Sequence, residues 1–222
     1  MDVGQTARTQ ARYDRAAGRY DLVEAPMEWL IKRLRRHLWA NVDGETVLEV
    51  GVGTGKNLPY HPQGTRLVAL DISPRMLRRA ADRARRLGRD ADLVLGDAQR
   101  LPFREGAFDA AVATFVFCSV PDPVAGLQEV RRVVRDEGGV HLLEHVRAQN
   151  PVLGWLMDLA NPIAVRLTGA NINRDTVSNV AKAEITLDAI ESRGFGLLKL
   201  IRGAVRGKQS ETDLAASLGG AG

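Results

Sequence analysis

The residues that could do chemistry begin with Glu49-Val50-Gly51-Val52-Gly53-Thr54-Gly55, which follows the apolar strand start Val47-Leu48. Three alternating glycines let a chain turn sharply and leave no side chain where a ligand must lie against the backbone. About 20 residues further on, Asp71 closes a second apolar run, where doubly wound folds offer a carboxylate to ribose hydroxyls. Gly96-Asp97-Ala98 closes a third run in the same way. This spacing points to a nucleoside-bearing ligand at one edge of a sheet. A dinucleotide fingerprint would need a further glycine three places after Gly53, but that place is Lys56, so the nicotinamide reading loses ground. Glu144 and His145 stand at the carboxyl end of a later strand. Together with Tyr20 they are the candidates for a general base. His37, His61, His141 and His145 show no metal-ligand spacing. Cys118, the only cysteine, reads as a small buried hydrophobe, and no intramolecular disulfide can form.

The elements that must position these residues alternate. Residues 6–22 read as a polar helix. Met27–Trp39 reads as an amphipathic helix, with Met27, Leu30, Ile31, Leu34 and Leu38 on one stripe and Lys32, Arg33, Arg35 and Arg36 mostly between. Strands are expected at Thr46–Val50, Arg66–Leu70, Asp92–Leu95, Ala110–Thr114 and Val140–Glu144. Helices are expected at 74–87, capped by Ser73, and at Pro123–Val134. Pro59 and Pro62 cut short any helix after Gly55. An irregular apolar insertion, Pro151 to Thr168, precedes a helix from Arg174 and two strands near Ile185–Glu191 and Leu197–Arg202. The pattern predicts a doubly wound, Rossmann-like α/β fold: a seven-stranded, mostly parallel sheet closed by a C-terminal antiparallel hairpin.

With these residues in place, the chain from about 11 to 202 resembles the class I S-adenosylmethionine (SAM) methyltransferases of the ubiquinone/menaquinone-type branch. The resemblance rests on Glu49 and the glycines, Asp71-Ile72-Ser73-Pro74-Arg75-Met76-Leu77, Gly96-Asp97-Ala98 with Leu101 to Asp109, and an N-terminal Tyr13-Asp14, Ala17, Tyr20 element. It implies SAM as cofactor and S-adenosylhomocysteine (SAH) as product, with Asp71 holding the ribose and Asp97 the adenine amino group. It also implies cofactor contacts from Tyr20, Glu49, Gly51, Gly53, Gly55, Asn57, Ile72, Met76, Ala98, Thr114 and Phe115. One departure is Arg135-Asp136-Glu137-Gly138-Gly139, a surface turn where the family usually has Pro-Gly-Gly. Phe117-Cys118-Ser119-Val120, Glu144-His145-Val146 and Gly169 to Thr176 are similar to segments of small-thiol methyltransferases and bacterial phospholipid N-methyltransferases.

One domain is expected over 1–206, with 1–40 a helical lid, 147–175 an acceptor-side insertion and 207–222 a flexible tail. The expected acceptor is a small molecule or a lipid, a phospholipid amine first, then a thiol or a quinone precursor. A nucleic-acid enzyme is disfavoured because Thr114-Phe115-Val116 replaces the Asn/Asp-Pro-Pro-aromatic motif of amino-base methyltransferases. A net charge of +4 on 222 residues is also too small to argue nucleic-acid binding. A SAM-binding protein without turnover is a third reading that the cofactor motifs leave open. The N-terminus has no signal-like apolar core, and no apolar run reaches ~20 residues. The expectation is a cytoplasmic protein with no metal. The basic helix leaves two readings open: packing on the core, or peripheral contact with an anionic membrane at its inner face. The sequence gives no indication of oligomeric state.

Overall fold

A computed structural model describes residues 3–148, 150–168 and 170–207. The elements are α1 (Val3–Ala16), α2 (Tyr20–Trp39), β1 (Thr46–Val50), a single 3-10 turn (Leu58–Tyr60), β2 (Arg66–Asp71), α3 (Pro74–Leu87) and β3 (Asp92–Leu95). They continue with β4 (Phe108–Thr114), α4 (Pro123–Val133), β5 (Val134–His145), α5 (Pro151–Thr168), α6 (Thr176–Lys182), β6 (Thr186–Arg193) and β7 (Leu198–Ala204). The strands form one sheet in the order β3-β2-β1-β4-β5-β7-β6. The first five are parallel, and β7 runs antiparallel to both β5 and β6. The order reverses between β1 and β4, which opens a crevice at their carboxyl ends where such folds bind ligands.

β1 is buried on both sides because alternate residues enter two cores. Leu48 and Val50 join Leu70, Phe117, Leu127 and Val133 on the α4 face. Val47 joins Leu38, Trp39, Leu67 and Ala80 on the α2 and α3 face. α3 starts as expected: the Ser73 hydroxyl accepts the Met76 amide at 3.1 Å. It stops at Gly88, whose left-handed φ of 59° is the usual helix ending.

Several segments differ from expectation. The N-terminal helix breaks at 17–19, and α2 begins at Tyr20 rather than Met27, with Pro26 inside it. Pro26 removes one backbone bond, a cost the burial of Ile31, Leu38 and Trp39 offsets. The side chains of Met27 and Leu30 lie outside the described residues, as do Gly169 and, beyond Gly207, the expected tail. The apolar insertion is a helix, α5: Asn150 Oδ1 accepts the Val152 and Leu153 amides at 3.0 and 3.1 Å, and Pro151 suits a first turn. The expected surface turn 135–139 belongs to a longer β5. Its irregularity is absorbed by a register jump, from Phe108 opposite Val134 to Ala110 opposite Gly139, and by Glu137 at φ 61°. α6 begins at Thr176, two residues later than read, because Asp175 caps it through the Ser178 amide at 3.2 Å.

Candidate cofactor and acceptor site

A cleft opens at the carboxyl ends of β1 to β4. Its floor is the glycine turn. Gly51 and Gly53 both line it, at φ 70° and 56°. A Cβ on Gly51 would overlap Val116 Cγ2, whereas one on Gly53 would meet no protein atom within 4 Å. The first glycine is therefore needed for packing and the second leaves open space for a ligand. Asp71 stands beside them, nearly buried. Its Oδ2 accepts the Gly53 amide and its Oδ1 the Ser73 amide, both at 2.8 Å. Burial pushes its pKa up to about 6, against the pull of these amides; buried Glu49 pushes the same way as burial. Ile72 and Met76 flank it, and Asp97 and Ala98 form the next wall. The Asp97 carboxylate accepts the Gln99 amide at 2.9 Å and the Thr6 hydroxyl at 3.3 Å.

Glu49, Gly55 and Asn57, expected at the cofactor, do not line this cleft; they brace the turn from behind. Glu49 is fully buried and accepts from Asn57 Nδ2 at 2.7 Å, with His61 Nε2 at 3.0 Å from its second oxygen. Asn57 also donates to Thr114 Oγ1 and accepts from Arg35 Nη1 at 2.9 Å. His61 lies against Trp39, ring centroids 4.1 Å apart. Gly55 is small because a Cβ would come within 2.6 Å of Leu58 Cδ1. The network ties α2, the turn and β4 into one unit.

α1 and the start of α2 cover the cleft. Tyr20 lines it as expected, and so do Thr9 and Tyr13, which had no assigned contact. The repeated Tyr-Asp pairs divide their labour. Both tyrosines face the cleft, and both aspartates moor the helices. Asp14 accepts from the Ser73 hydroxyl at 2.5 Å and the Arg75 amide at 3.2 Å. Asp21 accepts from Thr54 Oγ1 at 2.6 Å, Arg83 at 2.8 Å and Arg79 at 3.1 Å. Burial raises the Asp21 pKa, but the Thr54 bond and the Arg83 and Arg79 charges outweigh it and leave it lowered.

The remaining wall is the β4–α4 connection. Thr114, Phe115, Val116, Ser119, Val120 and Pro121 all reach the cleft. Tyr13 donates to Ser119 Oγ at 2.6 Å, so the cover and this wall touch. Glu144 and His145, expected as bases, do not line the cleft. Glu144 is wholly buried, and its Oε1 accepts the Val116 and Phe117 amides at 2.9 Å each. Burial pushes its pKa up to about 7, against the pull of the Phe117, Val116 and Cys118 amides. Burial lowers the His145 pKa, partly offset by a bond to the Ile172 backbone. Burial and the nearby Glu144 charge raise the Cys118 thiol far above its usual range, which makes it inert. Among the described residues, the proton-bearing side chains on the wall are Thr9, Tyr13, Tyr20, Asp71, Asp97, Thr114 and Ser119, with no histidine. The cleft thus offers two carboxylates, Asp71 and Asp97, on adjoining walls beneath the cover of α1.

Comparisons with known proteins agree. A family model described as a methyltransferase domain matches residues 48–142. Phosphatidylethanolamine N-methyltransferase of Cereibacter sphaeroides is 32% identical over 174 residues, covering 71% of this chain and 82% of that protein. A ubiquinone/menaquinone biosynthesis C-methyltransferase of the same organism is 30% identical over 207 residues, covering 84% and 82%. The crystal structure of a SAM-dependent methyltransferase from Thermotoga maritima superposes with a TM-score of 0.71 at 19% identity, covering 89% of this chain and all of that one, a likeness of fold.

Proposed function

This chain belongs to the class I SAM-dependent methyltransferases of the ubiquinone/menaquinone-type branch, and from that premise we propose that it methylates the amine of a phospholipid at a membrane surface. SAM supplies an electrophilic methyl group. Gly51 and Gly53 give its main-chain bed, Asp71 takes the ribose hydroxyls, and Asp97 with Ala98 takes the adenine. Thr114, Phe115 and Tyr20 border the rest of the cleft. Closure of α1 would exclude water and help hold the acceptor nitrogen at the near-attack distance of about 3–3.5 Å. Of the three base candidates only Tyr20 lines the cleft, and the amine gives up its proton either to Tyr20 or to solvent before it is enclosed.

One observation carries the choice of acceptor: α5 turns its apolar side chains outward. Val152, Trp155, Leu156, Leu159 and Ile163 are all exposed, Trp155 by 60%, and they recur at helical spacing along one face. The segment after α5 is bonded to the acceptor-side wall. Asn171 donates its amide and its Nδ2 to the Cys118 carbonyl, at 2.9 and 3.0 Å. Arg174 donates to the Val120 carbonyl at 3.0 Å. On α2, Trp29 is 77% exposed, in the same helix as exposed Lys32, Arg33 and Arg36. Among the described residues no helix is long and apolar enough to cross a membrane. The supported picture is therefore peripheral contact. Phosphatidylethanolamine vesicles incubated with protein and SAM are expected to yield N-methylated lipid by mass spectrometry. Methylation of a hydrophobic thiol or a quinone precursor instead, with the lipid untouched, would replace this acceptor.

Each cation near an anionic surface contributes about 1 kcal/mol, less at high salt. The protein is expected to sediment with anionic vesicles more than with neutral ones, and less so in high salt. Trp155→Ser with Leu159→Ser is expected to abolish most of this binding. Equal, negligible binding in every condition would remove the membrane from the proposal and leave methyl transfer standing.

The cover over the cleft is held by polar bonds from Asp14, Asp21, Thr6 and Tyr13 rather than by a large apolar face. Bonds of this kind exchange readily with water, so α1 can open and close. Amide exchange across residues 8–22 is expected to slow when SAH is added. Unchanged protection there would mean that the segment is a fixed cap.

A further inference from the structure

The geometry points to Glu144 as a positioning residue that sets the acceptor-side wall by gripping the backbone of the loop after β4. The inference rests on the family assignment and is independent of which acceptor is used. Thr114 ends β4, and Phe115 then takes φ 57°, a left-handed conformation that a bulky side chain adopts only when its surroundings impose it. The next two amides, Val116 and Phe117, point back into the protein and converge on one oxygen, Glu144 Oε1. Without that oxygen they would be buried donors with no partner.

Strand alternation explains how Glu144 reaches them. It shares the Leu142 face of β5, the face that packs against Phe117, so its carboxylate lies under the loop and not in the cleft. The consequence for the site is direct. Phe115, Val116, Ser119, Val120 and Pro121 line the cleft, and Val116 fills the space that a Cβ on Gly51 would need. The Cys118 and Val120 carbonyls are held from the other side by Asn171 and Arg174, and Ser119 meets the cover through Tyr13. Glu144 holds the donors of this loop, and the segment after α5 holds its acceptors. One buried side chain thereby fixes a wall shared by the cofactor, the cover and the acceptor without touching any of them.

The test uses the full chain and two variants. Glu144→Gln keeps an acceptor oxygen for the two amides, and Glu144→Ala removes it. Cys118, the only cysteine, is buried inside the loop and serves as a reporter. In Glu144→Ala, its reaction with 4,4′-dithiodipyridine at pH 8 is expected to speed up at least about tenfold. The Val116 and Phe117 amides should lose hydrogen-exchange protection, and SAH affinity should fall several-fold. In Glu144→Gln the Val116 and Phe117 protection and the SAH affinity should stay within about twofold of wild type, and Cys118 should speed up less than in Glu144→Ala, by no more than the loss of the neighbouring negative charge accounts for. A loss in Gln as large as in Ala would overturn the gripping role. So would retention of amide protection in Ala. If the Ala variant does not fold, the Gln variant decides alone: loss of Val116 and Phe117 protection in a folded Glu144→Gln protein refutes the inference.

Discussion

Asp71→Asn is expected to weaken SAH binding about 10- to 100-fold at neutral pH, measured by calorimetry. A hydrogen bond to a charged group contributes roughly 1.5–3 kcal/mol, and tenfold in affinity is about 1.4 kcal/mol. The carboxylate is already oriented by the Gly53 and Ser73 amides, so little ordering is needed when ribose hydroxyls arrive. A pH dependence follows from its raised pKa of about 6. Binding needs the ionised form, so affinity should be level above about pH 7 and decline as pH falls through 6. The ligand-free fold responds in the opposite sense. A carboxyl that holds its proton more tightly when folded adds stability below its unfolded pKa of 3.8 and loses it as pH rises through 6. The thermal shift produced by SAH should therefore shrink between pH 7 and pH 5 in the wild type and stay flat in Asp71→Asn. Wild-type affinity in the variant would remove Asp71 from the ribose.

Two glycine substitutions are expected to separate folding from binding. Gly51→Ala should damage both. Its φ of 70° strains any side-chain-bearing residue, at roughly 1–3 kcal/mol, and its Cβ would displace Val116. Adding Val116→Ala should relieve the overlap and recover part of the melting temperature but not the backbone strain. Gly53→Ala should behave differently. No protein atom lies within 4 Å of the new methyl group, so only the φ of 56° burdens the fold. The methyl group would stand where the cofactor must lie. SAH binding should be lost, by about 100-fold or more, from a protein that still melts cooperatively a few degrees below wild type. If Gly53→Ala binds SAH normally, the cofactor does not lie on this turn. Loss of cooperative melting in that variant would mean the turn needs glycine for folding instead.

The sequence by itself determined the strand order in the chain, the turn chemistry and the positions of Asp71 and Asp97. These features are local: a glycine turn, a capping serine or an acid closing an apolar run declares itself within a few residues. The Tyr-Asp repeat marked the cover, but not the break at 17–19 or the start of α2 at Tyr20, where Leu22 and Val23 are exposed. Asn150-Pro151 is a readable helix start for α5, but the long apolar run behind it, with Pro162 inside, carries no amphipathic signature of a helix.

Only the tertiary structure decided which polar side chains face the cleft. Glu49 and Asp71 end neighbouring strands, yet Glu49 turns inward to Asn57 and His61 while Asp71 borders the ligand space. Glu144 and Thr114 end adjacent strands, yet Thr114 lines the cleft and Glu144 goes beneath the loop. Alternation along a strand assigns residues to two faces. Which face meets a helix, a loop or open space depends on contacts made many residues away. That is why Thr9 and Ser119 entered the site unannounced, and why Glu144 and His145 left it.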